Sequence, residues 1–103
     1  ALGNLAANAE NQVTIASAGA IPPLVELVRS GSAEGKANAA AALGNLAANA
    51  ENQVTIASAG AIPPLVELVH SGSAEGKANA ATALSNLAAN NAENQATIAS
   101  AGV

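Results

Sequence analysis

An asparagine recurs at a fixed interval inside apolar, alanine-rich stretches of this chain. The stretch ALGNLAAN occurs twice and ALSNLAAN once, and their central residues Asn4, Asn45 and Asn86 are 41 positions apart. Asn38 and Asn79 precede two of them by seven residues. A carboxamide both donates and accepts hydrogen bonds, so such a side chain can cap a helix or bridge to a neighbouring helix. It can also recur simply because a whole unit was duplicated.

One stretch has the look of a phosphate-binding loop. It reads GSAEGKA at residues 31–37. The interval from Gly31 to Gly35 is one residue too short, Ala37 stands where Ser or Thr is needed, and no strand pattern precedes it. We therefore interpret this stretch as a joint between helices followed by a first helical turn.

The remaining polar groups lack partners for catalysis. His70 is the only histidine, and Arg29 stands at the equivalent place one unit earlier, so a solvent-facing helix end explains both. Glu26 and Glu67 form a repeated acidic pair, but no cysteine or second histidine accompanies them, and a solvated outer face is expected. The sequence predicts no enzyme, no cofactor and no metal site. Three further glutamates are expected in first helical turns, where negative charge is favoured: Glu10, Glu51 and Glu93.

Composition excludes several classes of partner. The formal net charge is -4, and no aromatic residue is present to stack on a base, so nucleic-acid binding is not expected. No signal peptide and no apolar run of about 18 residues occurs, so we expect no membrane insertion. The expected location is intracellular, in the cytoplasm or the nucleus. The absence of an initiator methionine favours a segment of a longer array.

The chain consists of one sequence repeat that occurs more than twice. Residues 9–49 match residues 50–90 except at three positions, and one extra Asn follows in the stretch NNAENQ. A period near 40 residues is typical of solenoids, in which each unit stacks only on its neighbours. The three differing pairs are Arg29 and His70, Ala41 and Thr82, and Gly44 and Ser85.

Residues that start and stop helices predict a short helix followed by a medium helix within each unit. Asn49 is placed to cap the short helix, and Gly60 to stop it. Pro63 and Pro64 then fall in the first turn of the medium helix, where a missing N–H costs little. Its apolar stripe consists of Leu65, Leu68 and Val69.

A long helix completes each unit. Gly72 ends the medium helix and Ser73 can cap the stretch AEGKANAATALSNLAAN, which is rich in the strong helix former alanine. No strand signal competes with these patterns. The fold class predicted from the sequence is all-α.

Three helices in about 41 residues, with AGAIPPLVELV and then AAAALGNLAA, resemble the armadillo repeat, most closely its plant and protist forms. The resemblance implies an α-solenoid, a right-handed superhelix of three-helix repeats. In its register, residues 1–8 end one long helix, 9–49 and 50–91 are repeats (the second with a one-residue insertion), and 92–103 begin another.

The resemblance also implies a function for the asparagines. In armadillo proteins the long helix lines a concave groove, and the Asn of LGN or LSN hydrogen-bonds the main chain of an extended peptide. On a helical wheel Leu43 lies opposite Asn45 and Leu46 lies on the flank, so both leucines are expected to be buried, and Ala83 falls on the side of Asn86. The expected partner is a protein or extended peptide, and the expected groove residues are Asn4, Asn38, Asn45, Asn79 and Asn86.

The sequence departs from the family pattern beside these asparagines. Peptide-binding members often carry Trp one turn earlier, where Ala41 and Thr82 stand here. Without an aromatic wall no cation–π contribution is available. We expect weak and unselective peptide binding, unlike the recognition of nuclear-localisation signals.

The alternative function is self-association of a structural solenoid. Continuing from Val103 to the Ala1 of another copy would omit a stretch like 62–82, so simple end-to-end joining is not expected. Both ends nevertheless lack capping repeats, which favours a homo-oligomer. The residues expected to be exposed at the ends are Leu2, Leu5 and Ile98.

Overall fold

The computed structural model describes residues 19–89 and 91–101. Within these residues no strand occurs, and the predicted all-α class is confirmed. Helices follow one another with joints of a few residues. They are α1 (Ile21–Ser30), α2 (Ala33–Leu46), α3 (Ala50–Ser58), α4 (Ile62–Ser71), α5 (Ala74–Ala88) and α6 (Ala92–Ser100).

Short polar side chains start the short and long helices, as the sequence predicts. The side chain of Asn49 accepts hydrogen bonds from the first backbone N–H groups of α3. The Ser73 hydroxyl accepts from the Gly76 N–H at 3.0 Å and begins α5. α5 has 15 residues and α2 has 14, and Asn91 caps α6. These caps satisfy backbone donors that have no partner within their helix.

Two glycines stop helices for different physical reasons. Gly60 has a φ of 84°, in the left-handed region, and its N–H donates to the Ala57 carbonyl while the Ala61 N–H reaches back to Ile56. Gly72 has an extended backbone, but a Cβ there would lie 2.6 Å from the Leu68 carbonyl oxygen. The predicted stops at Gly60 and Gly72 are therefore confirmed.

The helices stack by type, since α2 packs beside α5, and α1 packs beside α4. Leu65 and Leu68 of the predicted apolar stripe are buried, and Val69 is half-buried. One continuous core joins the units without any aromatic side chain. The fully buried large apolar residues are Ile21, Leu43, Leu46, Ile56, Ile62, Leu65 and Leu87.

Close contact between the two long helices corrects one expectation. The wheel places Ala83 on the polar side with Asn86, but Ala83 is fully buried. A Cβ added at Gly44 would lie 3.5 Å from the Ala83 Cα, which shows how closely α2 approaches α5. Small residues at this contact allow the backbones to come together, and the wheel carries no information about the neighbouring helix.

The same geometry predicts opposite effects of alanine at two glycines. Gly44→Ala is expected to raise the free energy of unfolding by about 0.5–1 kcal/mol, because the added Cβ makes an ordinary contact and alanine favours a helix. Gly60→Ala is expected to lower it by about 1–2 kcal/mol, because its φ of 84° is strained for any residue with a Cβ. Urea denaturation of both variants measures the difference. Shifts of the same sign would contradict this account.

Among the described helices none is by itself long and apolar enough to cross a membrane. Only α3 and α4 taken together, across a bend of 85°, meet those two criteria.

Candidate functional site

The long helices α2 and α5 carry the described asparagines of the predicted groove. A shallow cleft of about 150 Å³ lies between them, and it brings Asn45 of α2 next to Asn79 of α5. Ala41, Gly44 and Thr82 complete its lining. None of these five residues is charged, so the walls of the cleft give no electrostatic preference for a charged ligand.

Asn79 and Asn86 connect the two long helices. The Nδ2 of Asn79 donates to the carbonyl oxygen of Ala37, and the Nδ2 of Asn86 donates to that of Gly44, each at 2.9 Å. Both residues are half-buried. A carboxamide has two N–H groups and an oxygen, so each bridge uses only part of the hydrogen-bonding capacity of the side chain. Bridging to a neighbouring helix, one of the open interpretations of the sequence, is therefore observed at these two residues.

Asn38 and Asn45 lie on α2 and are exposed. They stand seven residues apart on one helix, as Asn79 and Asn86 do on α5, so the described asparagines form two parallel rows. Asn4 lies outside the described residues. The long-helix face is thus a polar surface above a buried apolar layer that includes Leu43.

A second set of amides, which the sequence interpretation missed, is buried between helices. Asn52, Gln53 and Asn94 are at most 6% exposed. The Nε2 of Gln53 donates to the carbonyls of both Ala47 and Asn86, and so joins two units. The repeated ENQ triplet is the only sequence signal for these residues, and it does not reveal their distant acceptors.

Side-chain amides complete the hydrogen bonding at the end of α2. The last carbonyls of a helix have no partner within it and need one elsewhere. Every buried side-chain N and O among the described residues finds a hydrogen-bond partner. The side-chain donors to the α2 end are Asn86 to Gly44, Asn52 to Leu46 and Gln53 to Ala47.

The repeat unit matches a known family. The family model of the armadillo/beta-catenin-like repeat matches residues 8–48 and again 49–89. The chain belongs to this family. Armadillo repeats are generally non-enzymatic scaffolds, and the stacked helices described above form the α-solenoid that the sequence predicts.

Solved armadillo structures superimpose on nearly the whole chain. The designed armadillo repeat protein YIII(Dq)4CqI is 40% identical with a TM-score of 0.92. Computationally designed armadillo repeat proteins for modular peptide recognition are 41% identical with a TM-score of 0.90. The designed armadillo repeat protein YIII(Dq.V1)4CPAF, in complex with the peptide (KR)4, is 33% identical with a TM-score of 0.91.

This chain corresponds to less than half of each designed protein. Each of the three covers 98% of this chain, whereas the chain spans 43% of the length of each. No curated protein matches the chain in sequence. The three structures are of designed proteins and give no support to the expected plant or protist type.

The departure from the armadillo pattern is visible in the cleft. Ala41 and Thr82 are both exposed and both line it. A methyl group and a small hydroxyl-bearing side chain stand where an aromatic wall would flank a ligand side chain. The described cleft therefore offers two amides and a hydroxyl but no large apolar side chain to an armadillo ligand.

The predicted end residues are only partly described. Leu2 and Leu5 lie outside the described residues. Ile98, which was expected to be exposed, is half-buried because α6 folds back onto the core. It lines an open apolar groove with Val69 and Leu84. The expectation for Ile98 is corrected to a partly covered side chain.

Charged residues lie away from the cleft. Arg29 pairs with Glu26 at 3.3 Å, and the Ser71 hydroxyl donates to Glu67 at 2.9 Å. His70 is exposed at the end of α4. Among the described residues no three His, Cys, Asp or Glu side chains come together as a metal ion would require.

Proposed function

We propose that this chain is a non-enzymatic protein-interaction module whose long-helix face binds the main chain of an extended peptide. The observation that carries the proposal is the pair of asparagine bridges from α5 to α2. Each bridge fixes one N–H of Asn79 or Asn86 to a neighbouring backbone, which orients the rest of the amide. A side chain already held in place loses little rotamer entropy on binding.

The arrangement suits a ligand backbone better than ligand side chains. Each amide retains an oxygen and a second N–H, which match the N–H and C=O of a peptide unit. Two residues of extended chain span about 6.6 Å, and packed helices lie about 8–10 Å apart. One asparagine per repeat can therefore meet roughly every second or third peptide residue. Support by analogy comes from the designed armadillo protein that is seen with (KR)4.

Weak, sequence-tolerant binding follows from the cleft walls. The walls carry no charge and no aromatic ring, so affinity depends on a few backbone hydrogen bonds, each with a net contribution of about 0.5–1.5 kcal/mol. We expect little preference between peptides of different side chains. An intracellular location, cytoplasmic or nuclear, stays a prediction from the sequence.

Amide chemical-shift titration tests the groove. We expect shifts in α2 and α5 with (KR)4 and with a neutral Thr-Ser peptide of equal length, and no shifts with an N-methylated backbone that lacks the peptide N–H groups. Asn45→Ala is expected to weaken binding about 3- to 10-fold through lost hydrogen bonding. Gln95→Ala, which removes an exposed amide on α6, is the matched control and should leave the affinity unchanged.

Two results would contradict main-chain peptide binding in the groove. One is unchanged binding after both Asn45→Ala and Asn86→Ala. The other is equal binding of the N-methylated peptide, because main-chain recognition requires the N–H groups that methylation removes.

A second candidate function is self-association through the end of the helix stack. Ile98 and its neighbours line an apolar groove of about 280 Å³ there, on a surface distinct from the asparagine rows.

A further inference from the structure

The buried Gln53 is hydrogen-bonded to the backbone of one asparagine of the proposed groove. Its Nε2 donates to the carbonyl oxygen of Asn86 at 2.9 Å and to that of Ala47 at 3.0 Å. A carboxamide nitrogen carries two N–H groups, so these two bonds use both of its donors. A single nitrogen atom therefore holds the end of α2 and the backbone of α5 together.

Asn86 is tied to the neighbouring unit at two of its atoms. Its Nδ2 donates to the Gly44 carbonyl at 2.9 Å, and its own carbonyl accepts from Gln53. Gly44 and Ala47 stand three positions apart on α2, which is about 4.5 Å along the helix. Two attachments at separate points restrain the orientation of α5 relative to α2 as well as its distance, which a single hydrogen bond does not.

Burial distinguishes Gln53 from its equivalent in the following unit. Gln53 is 6% exposed, so water does not readily replace either of its bonds. Gln95 is exposed, and its Nε2 donates to the Ala88 carbonyl within its own unit. The chain thus contains the same side chain with and without a bond that joins two described units.

We infer that Gln53 is a positioning residue of the peptide groove, which sets the place of Asn86 relative to α2 and so couples peptide binding to the stacking of the two units. This rests on the proposed function, because it requires Asn86 to bind a peptide main chain. Gln53 acts through Asn86 and does not touch the peptide, since its own amide is buried and both of its donors are used.

A main chain that spans the two units needs Asn45 on α2 and Asn86 on α5 at a fixed separation. The groups of an extended peptide recur about every 3.3 Å, and hydrogen bonds weaken steeply beyond about 3.2 Å. A displacement of α5 by about 1 Å therefore breaks one of the two contacts. The coupling is reciprocal, so a bound peptide in turn holds α5 against α2.

Gln53→Met tests the inference by peptide titration, since methionine has a similar length and no hydrogen-bond donor. The affinity for (KR)4 is expected to fall about 3- to 10-fold. Gln95→Met is the matched control and should leave the affinity unchanged. Circular dichroism checks that both variants are folded at the temperature of the titration.

A double-mutant cycle separates positioning from a general loss of stability. If Gln53 acts through Asn86, Gln53→Met should weaken binding at least about twofold less in the Asn86→Ala background than in the otherwise unmodified chain. An equal loss of affinity in both backgrounds would overturn the inference, and so would an unchanged affinity of Gln53→Met alone.

The unmodified chain provides a test that does not depend on the folding of a variant. On titration with (KR)4 the side-chain amide resonances of Gln53 are expected to shift, although the residue is buried, and those of Gln95 are expected to stay in place. Shifts in α2 and α5 without any at the Gln53 amide would overturn the positioning role and leave the groove intact. If no resonance of α2 or α5 shifted, the proposed function would be wrong, and the positioning role with it.

Discussion

Leu65→Ala is expected to lower the free energy of unfolding by about 3–4 kcal/mol. Leu65 is fully buried in α4, which packs against α1, α5 and α6. The neighbours are short aliphatic side chains, and the chain has no Met or Phe that could reshape itself to fill the space. Domains of this size are stable by only about 5–15 kcal/mol, so one such cavity removes a large part of the total.

Urea denaturation followed by circular dichroism measures this loss, with Leu27→Ala as the matched control. Both changes remove the same atoms from a medium helix, but Leu27 is 45% exposed and should lose less than about 1 kcal/mol. The urea dependence should stay the same, because the surface exposed on unfolding hardly changes. Equal losses at the two positions would show that α4 is not central to the core.

Local signals of the sequence predicted the described helices well. Asn49 and Ser73 cap helices, Gly60 adopts a positive φ, and Leu43 is buried while Asn45 on the same helix is exposed. Each of these features depends on contacts within about one helical turn or on the angle around a single helix. Such features can be predicted without knowing what lies next to the helix.

Contacts between units could not be predicted in the same way. The wheel gives the direction of Asn86 but not the carbonyl of Gly44 that it meets, 42 positions away. The wheel places Ala83 on the polar side, but Ala83 is buried because α2 approaches it closely. Near-identity of the two units also hides which recurring residues matter, because nearly every residue recurs. The position of Ile98 near the chain end predicts exposure, whereas α6 turns the side chain toward the core.

The amides that bridge units limit where a ligand can bind. Asn79 and Asn86 use one N–H each to hold α5 against α2, so their removal affects both the stack and a bound peptide. Asn38 and Asn45 are exposed and lie on α2, the helix whose carbonyl groups accept these two hydrogen bonds. Asn45 lines the cleft and is the position to substitute when peptide binding is measured, and Asn86 is the position to substitute when the coupling between units is measured.

Asn52→Ala is expected to lower the free energy of unfolding by about 2–3 kcal/mol, the second-largest effect among these variants. The Asn52 side chain is 2% exposed, and its Nδ2 donates to the Leu46 carbonyl at the end of α2 at 3.1 Å. Removal leaves a buried acceptor with only the 3.2 Å bond from the Asn49 N–H, and it leaves a small cavity. The lost hydrogen bond contributes about 1 kcal/mol, since the Leu46 carbonyl keeps one donor, and the lost packing of a buried side chain adds about 1–2 kcal/mol.

Gln95→Ala provides the matched control, since the Gln95 Nε2 also donates to a carbonyl at a helix end, that of Ala88 at 2.9 Å. Gln95 is exposed, so water can replace the lost donor and the expected change is below about 1 kcal/mol. The same urea titration compares the two variants. If they lost equal stability, burial of the ENQ amides would have no energetic significance. If Asn52→Ala alone is strongly destabilised, the junction between a long helix and the next short helix depends on a buried hydrogen bond as well as on apolar packing.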